Sequence, residues 1–233
     1  MKLFQSENSY VHANNCYKEI LTPLGHVSLE LNIDDNCYTN LAKISECFTL
    51  HNGGTLLCYK HQHFIAELVI CKPDYKIPNH MKVEKVIAGI WRIKPLVENL
   101  NCKFDTKLIP INLKETVCGS NNGVNLDAIS FEYEEFKMTI GTQDGNTLLN
   151  RLHEKDMMAN EFNRLEQEFP DNIIQYNKDY TGLSVPLTSL VRNEVTQIHF
   201  VIAWNYALDE FDCSTWFAVD LSSKAILSGE DLI

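Results

Sequence analysis

The sequence has no apolar stretch near the roughly eighteen residues a membrane-spanning helix needs. Its longest runs, such as FIAELVIC at 64–71, fall far short. The N-terminal MKLFQSENSY carries one lysine but no apolar core behind it, so no signal peptide is read there. G-x-S-x-G, the phosphate-binding P-loop and G-x-G-x-x-G are all missing, which removes the sequence support for a nucleophile-elbow hydrolase, a P-loop nucleotidase or a dinucleotide enzyme. No C-x-x-C pair occurs among the eight cysteines at 16, 37, 47, 58, 71, 102, 118 and 213. Their irregular spacing, with no export signal, predicts reduced thiols in a cytoplasmic protein.

Positive charge is scarce in the second half. Residues 127–233 hold 7 Lys and Arg against 19 Asp and Glu, whereas residues 1–126 hold 13 against 12, and the net charge is −11. Phosphate binding needs a basic stripe, so the C-terminal half is not expected to contact nucleic acid directly. What is present is an ordinary globular balance, 45% hydrophobic and 22% charged, which argues against disorder. A chain of 233 residues can bury a sizeable core.

The patterning predicts an α+β fold, mainly antiparallel sheet with a few packed helices. HVSLELNI (26–33) alternates as a half-buried strand and stops at Asp34-Asp35-Asn36. Residues 38–50 place Leu41, Ile44, Cys47 and Phe48 at helical spacing. TLLCYK (55–60) and HFIAELVICK (63–72) predict a hairpin about His61-Gln62, and the β-branched residues of 82–93 favour a strand. FDTKLIPINL reads as an edge strand, because Pro110 cannot donate a ladder hydrogen bond. Asn121-Asn122-Gly123 is a turn signal. In AISFEYEEFKMTI the apolar phase slips at Glu134-Glu135, which requires a bulge or a tight turn. The longest helix is expected at about 146–169, capped by Asp144 and ended by Pro170. QIHFVIAW (197–204) is apolar on both faces, as in a central strand, and STWFAVDL (214–221) reads as a further core strand. Together these give a single α+β domain over 1–233, with two subdomains meeting near 115–125 as the other option.

Chemical candidates are few. DCSTWFAVD places Cys213 near Trp216, but cysteine hydrolases of the papain kind carry the nucleophile directly before the aromatic residue, and no histidine follows His199. A strand after Cys213 would also offer no helix N-terminus to activate the thiol. Cys58, His61 and His63, with Cys71 or His51, could gather around zinc, yet they lack a structural zinc framework. His199, inside an apolar strand, reads as a satisfied core histidine. No catalytic residue, metal ligand or cofactor is assigned.

The acidic clusters stand out instead. Asp209, Glu210 and Asp212 surround Phe211 between two apolar runs, and Glu132, Glu134 and Glu135 crowd a second segment. Carboxylates around an aromatic anchor suit a basic protein surface, the charges steering and the ring supplying a hot spot. The paired segments HFVIAWN (199–205) and STWFAVD (214–220) resemble the C-terminal block of immunity proteins from bacterial polymorphic-toxin systems. That resemblance implies a small, acidic, cytoplasmic protein that binds a cognate toxin domain, often a basic nuclease, and blocks it. The expectation is thus a non-enzymatic inhibitor. A hydrolase of unrecognised family and a structural or adaptor module are the alternatives.

Overall fold

A computed structural model describes residues 11–13, 16–51, 53–112, 116–122, 126–145, 173–206 and 213–228. Their strands form two sheets. The larger runs β1 (Val11–His12), β5 (Glu46–Thr49), β6 (Thr55–Lys60), β7 (Phe64–Cys71), β8 (Lys85–Pro95), β15 (Thr196–Tyr206), β12 (Phe136–Gln143), β11 (Leu126–Tyr133) and β10 (Val117–Asn122). The smaller runs β13 (Gln175–Tyr176), β14 (Leu183–Leu190), β9 (Leu100–Pro110), β3 (Gly25–Ile33) and β2 (Leu21–Thr22), with β4 (Asn36–Thr39) also paired to β3. Neighbouring strands in both are antiparallel. The described helices, α1 (Ser214–Val219) and α2 (Ser223–Ser228), are short. Among the described residues no helix is long and apolar enough to cross a membrane.

Alternation along the strands explains the layering, because successive side chains point to opposite faces. In β15 the side chains of Ile198, Phe200, Ile202 and Trp204 enter one apolar cluster, shared with Leu29 and Leu31 of β3, Phe104 of β9 and Leu183 of β14. This cluster is the interior between the two sheets, and it draws on residues from both sides of 115–125. Val201 and Ala203 face the other way and join Val69, Ile90, Ala218, Val219, Ile226 and Leu227, which place α1 and α2 on the outer face of the larger sheet. With both faces covered, β15 is buried at every position up to Asn205.

Close approach depends on small residues at defined points. An ideal Cβ on Gly89 of β8 would lie 2.2 Å from Leu29 Cδ1, so its absence lets the sheets meet there. Gly25 is more constrained still. Its φ is +143°, and a Cβ would lie 2.0 Å from the carbonyl oxygen of Ile109, which backbone cannot vacate. Gly25→Ala is expected to destabilise by roughly 1–3 kcal/mol from strain alone, seen as a lower thermal midpoint. A midpoint like that of the wild type would mean that the β3–β9 pairing differs here.

Several expectations match the structure. The 55–72 hairpin, the strands at 26–33 and 82–93, and the central strand at 197–204 are all present. The phase slip at Glu134-Glu135 is a tight turn, with Tyr133 opposite Phe136 and Glu134 at φ 52°. Three expectations are corrected. Residues 38–50 are not a helix: β4 and β5 flank a bend at Lys43 with φ 61°. The cause is Asn40, fully buried, whose Oδ1 accepts from Leu29 N at 2.9 Å and whose Nδ2 donates to the Lys18 carbonyl at 2.6 Å. Such side-chain bonds hold the backbone away from a helical ladder.

The second correction is β9, an interior strand between β14 and β3 rather than an edge. Pro110 is its last residue, where the missing N–H breaks no inner rung. The third is STWFAVDL, whose first six residues are α1 and not a strand. Both edges of β15 are already taken by β8 and β12, so the segment after it has no place to pair. It folds back across the outer face, where Gly141 leaves room for Val219. Of the helix expected at 146–169, only the cap residue Asp144 is described, and it is buried at 6% exposure; the rest lies outside the described residues.

Candidate functional site

The acidic hairpin is built by register. β11 and β12 pair so that Ile129 faces Ile140, Phe131 faces Met138 and Tyr133 faces Phe136, which fixes the turn at Glu134 and Glu135. Apolar residues on the inner face hold the hairpin to the core. The tip projects, and Glu132, Glu134 and Glu135 are all exposed. Glu132 is engaged by Lys137 Nζ at 3.0 Å, directly across the ladder, so much of its charge is answered locally. Glu134 and Glu135 carry the outward charge.

The neighbouring strand brings a second feature to this corner. β12 pairs with β15 so that Phe136 lies opposite Tyr206, and their rings sit 4.5 Å apart. Tyr206 is 46% exposed. On the same strand end Lys85 Nζ lies 5.5 Å from the centre of the Trp204 ring. Asp209, Glu210, Phe211 and Asp212 lie outside the described residues. The described chain departs at Tyr206, beside the acidic turn, and resumes at Cys213. There Asn205 Nδ2 donates to Ser214 Oγ at 3.2 Å, and the Thr139 and Thr215 hydroxyls are 2.8 Å apart. The pairing thus sets one acidic segment next to the strand end from which the other begins.

Sequence reasoning missed Tyr206 and Phe136 as a pair. Each had a signal, an aromatic beside carboxylates, but their adjacency depends on strand order. It missed also a polar line buried on the outer face of the larger sheet. Glu67 of β7 lies across the ladder from Arg92 of β8, and Arg92 Nε donates to Gln197 Oε1 at 2.6 Å. Two residues along β15, His199 Nδ1 lies 2.7 Å from Ser223 Oγ at the start of α2. A serine beside a histidine resembles a nucleophile and base, but both residues are buried, each 2% exposed. Through Nδ1 the pair ties α2 to the sheet, which places His199 in the core as expected without satisfying both ring nitrogens by hydrogen bonds.

The other candidates separate. His61 and His63 meet at the β6–β7 turn with ring centres 5.1 Å apart, while Cys58 and Cys71 are buried in the outer-face cluster. Among the described residues no group of three or more His, Cys, Asp or Glu side chains could hold a metal ion. Cys213 is exposed at the N-cap of α1, so a helix does follow it, contrary to expectation; it makes no capping hydrogen bond and has no histidine after it.

Asp127 and Asp220 flank the buried Asp144. Burial raises both carboxyls above the ordinary value of 3.8, and Asp144 adds to each, while the Gly145 N–H at 3.3 Å opposes the rise at Asp127. A raised carboxyl contributes stability below its unfolded value and loses it as pH climbs through the folded value. Asp127→Asn is therefore expected to raise the thermal midpoint at pH 7, with the gain disappearing as pH falls toward 3.8. Melts across that range decide it; a loss at pH 7 would mean the carboxylate is held by favourable charge. Compared with known proteins, the chain matches no family model and no curated protein.

Proposed function

We propose that the protein is a non-enzymatic binding inhibitor, a toxin-neutralising immunity protein of the cytoplasm whose acidic corner engages a basic toxin domain. The observation that carries this reading is the Phe136–Tyr206 pairing, which places the exposed Glu134-Glu135 turn beside the strand end leading into Asp209, Glu210, Phe211 and Asp212. Carboxylates steer a cationic partner, and the exposed Tyr206 with Phe211 gives aromatic anchors of the kind that dominate interface energy. The charge of residues 127–233 supports a basic partner over nucleic acid. The whole chain is read as one α+β domain, with the helix expected at 146–169 added to the two short ones.

The test is co-expression with any toxin domain that a gene adjacent to this protein's own encodes. Neutralisation should restore growth, and the two proteins should purify together as a stable complex. Growth arrest despite soluble inhibitor, with no complex on gel filtration, would overturn the reading.

A further inference from the structure

The two sheets end on strands of unequal length. β1, β13 and β2 have two residues each, and β4, which shares the β3 side with β2, has four. β10 ends the larger sheet on its other side with six, in unbroken register with β11 from Val117 opposite Glu132 to Asn122 opposite Asp127. Edge strands are ordinarily kept from pairing by shortness, a bulge, a proline or a charge. β10 reads VCGSNN and has none of these. It is also open to solvent. Val117 is 66% exposed, Cys118 is exposed opposite the interior Phe131, and a Cβ on Gly119 would meet nothing within 4 Å.

We propose that β10 pairs antiparallel with β10 of a second copy of this chain, across a two-fold axis near the middle of the strand. Charge selects that occupant. Each chain carries −11, so two copies can meet closely only where neither brings charge, and residues 117–122 hold none. A cationic partner would find no carboxylate on this strand. The antiparallel sense also separates the acidic turns. Val117 lies across from Glu132, so Glu134 and Glu135 sit beyond the Val117 end of β10, and a two-fold sends the two turns to opposite ends. By strand geometry they finish roughly 30 Å apart, about three Debye lengths at 0.1 M salt. The turn stays outside the contact, so the pairing stands apart from the inhibitor reading. With the same strand used on both copies the contact is isologous, and it closes at two chains instead of growing into a filament. A six-residue ladder is a small interface, and the dissociation constant should fall between roughly 10 and 100 μM.

Sedimentation equilibrium on the intact protein across that range should show monomer and dimer. Added salt should tighten the dimer by screening repulsion between the two chains, the reverse of the salt effect expected for a basic partner. Gly119→Lys should weaken self-association by about ten-fold or more, because two lysines meet near the axis, even though each chain's net negative charge falls. The monomer has room for that side chain, so its melting midpoint should stay near that of the wild type. Val117→Lys, at a position already exposed, should act in the same direction. Val11→Lys, on the short edge at β1, should leave the dimer intact. A short bismaleimide should join Cys118 to Cys118, a link that only two copies can make, ahead of links through the exposed Cys16 or Cys213. A protein that stays monomeric throughout, lysine variants of β10 that dimerise like the wild type, or a dimer dispersed by Val11→Lys would overturn the proposal.

Discussion

Replacing Trp91 with alanine is expected to lower the unfolding free energy by about 3–5 kcal/mol, the usual cost of emptying a large aromatic site in a core. Trp91 is fully buried on β8, an inner strand of the larger sheet. Its ring centre lies 5.0 Å from that of Tyr59 on the same sheet and 6.3 Å from that of Phe104 on the other. Truncation therefore opens a cavity where the two sheets join, and neighbouring strands locked in ladders on both sides cannot collapse into it. Trp91→Phe should cost far less. The indole Nε1 has no hydrogen-bond partner, so removing that buried donor offsets part of the lost volume. Urea titration decides it: the midpoint should fall while the slope stays near that of the wild type. An alanine variant with an unchanged midpoint would mean that the sheets do not meet through this ring. Trp204, 7% exposed in the same cluster, should behave similarly to a smaller degree.

The sequence made the fold legible wherever one strand's own pattern fixed its surroundings. QIHFVIAW is apolar on both faces, and β15 is indeed covered by the second sheet on one side and two helices on the other. The slip at Glu134-Glu135 reported a reversal of direction because period-two alternation cannot change phase inside a flat strand. Segments whose structure depends on distant partners were not legible. Nothing in residues 38–50 announces that Asn40 will bond to Leu29 and Lys18, so four apolar residues at helical spacing mislead; Leu41, one of them, is 44% exposed. The interior place of β9 comes from β14, which pairs Phe104 with Val185. STWFAVDL is apolar enough for a strand or a buried helix, and only the occupied edges of β15 decide. The exposed carboxylates of 132–135 could be read directly, but the Phe136–Tyr206 contact beside them required the β12–β15 register.

Reversing Glu134 and Glu135 to lysine together should slow association with a basic partner by about ten-fold at low ionic strength, through loss of electrostatic steering. Glu132 is left in place because its carboxylate already meets Lys137 at 3.0 Å, and a lysine there would repel across the ladder. The fold should survive. Both residues are exposed, and the turn needs only the backbone angle that Glu134 adopts at φ 52°, as open to lysine as to glutamate. The Debye length is about 10 Å at 0.1 M salt, so the difference between variant and wild type should shrink as salt is raised. A companion reversal of Asp209, Glu210 and Asp212 should act in the same direction if both segments serve one surface, and the two sets should then be less than additive, since neighbouring charges share one field. Tyr206→Ala and Phe211→Ala should act mainly on dissociation, because aromatic anchors hold a formed complex rather than guide its encounter. Stopped-flow or surface-binding kinetics against the proposed basic partner at two salt concentrations separate these effects. An on-rate indifferent to salt, or a double variant that associates normally, would move the interface off this corner and toward the charge-balanced N-terminal half.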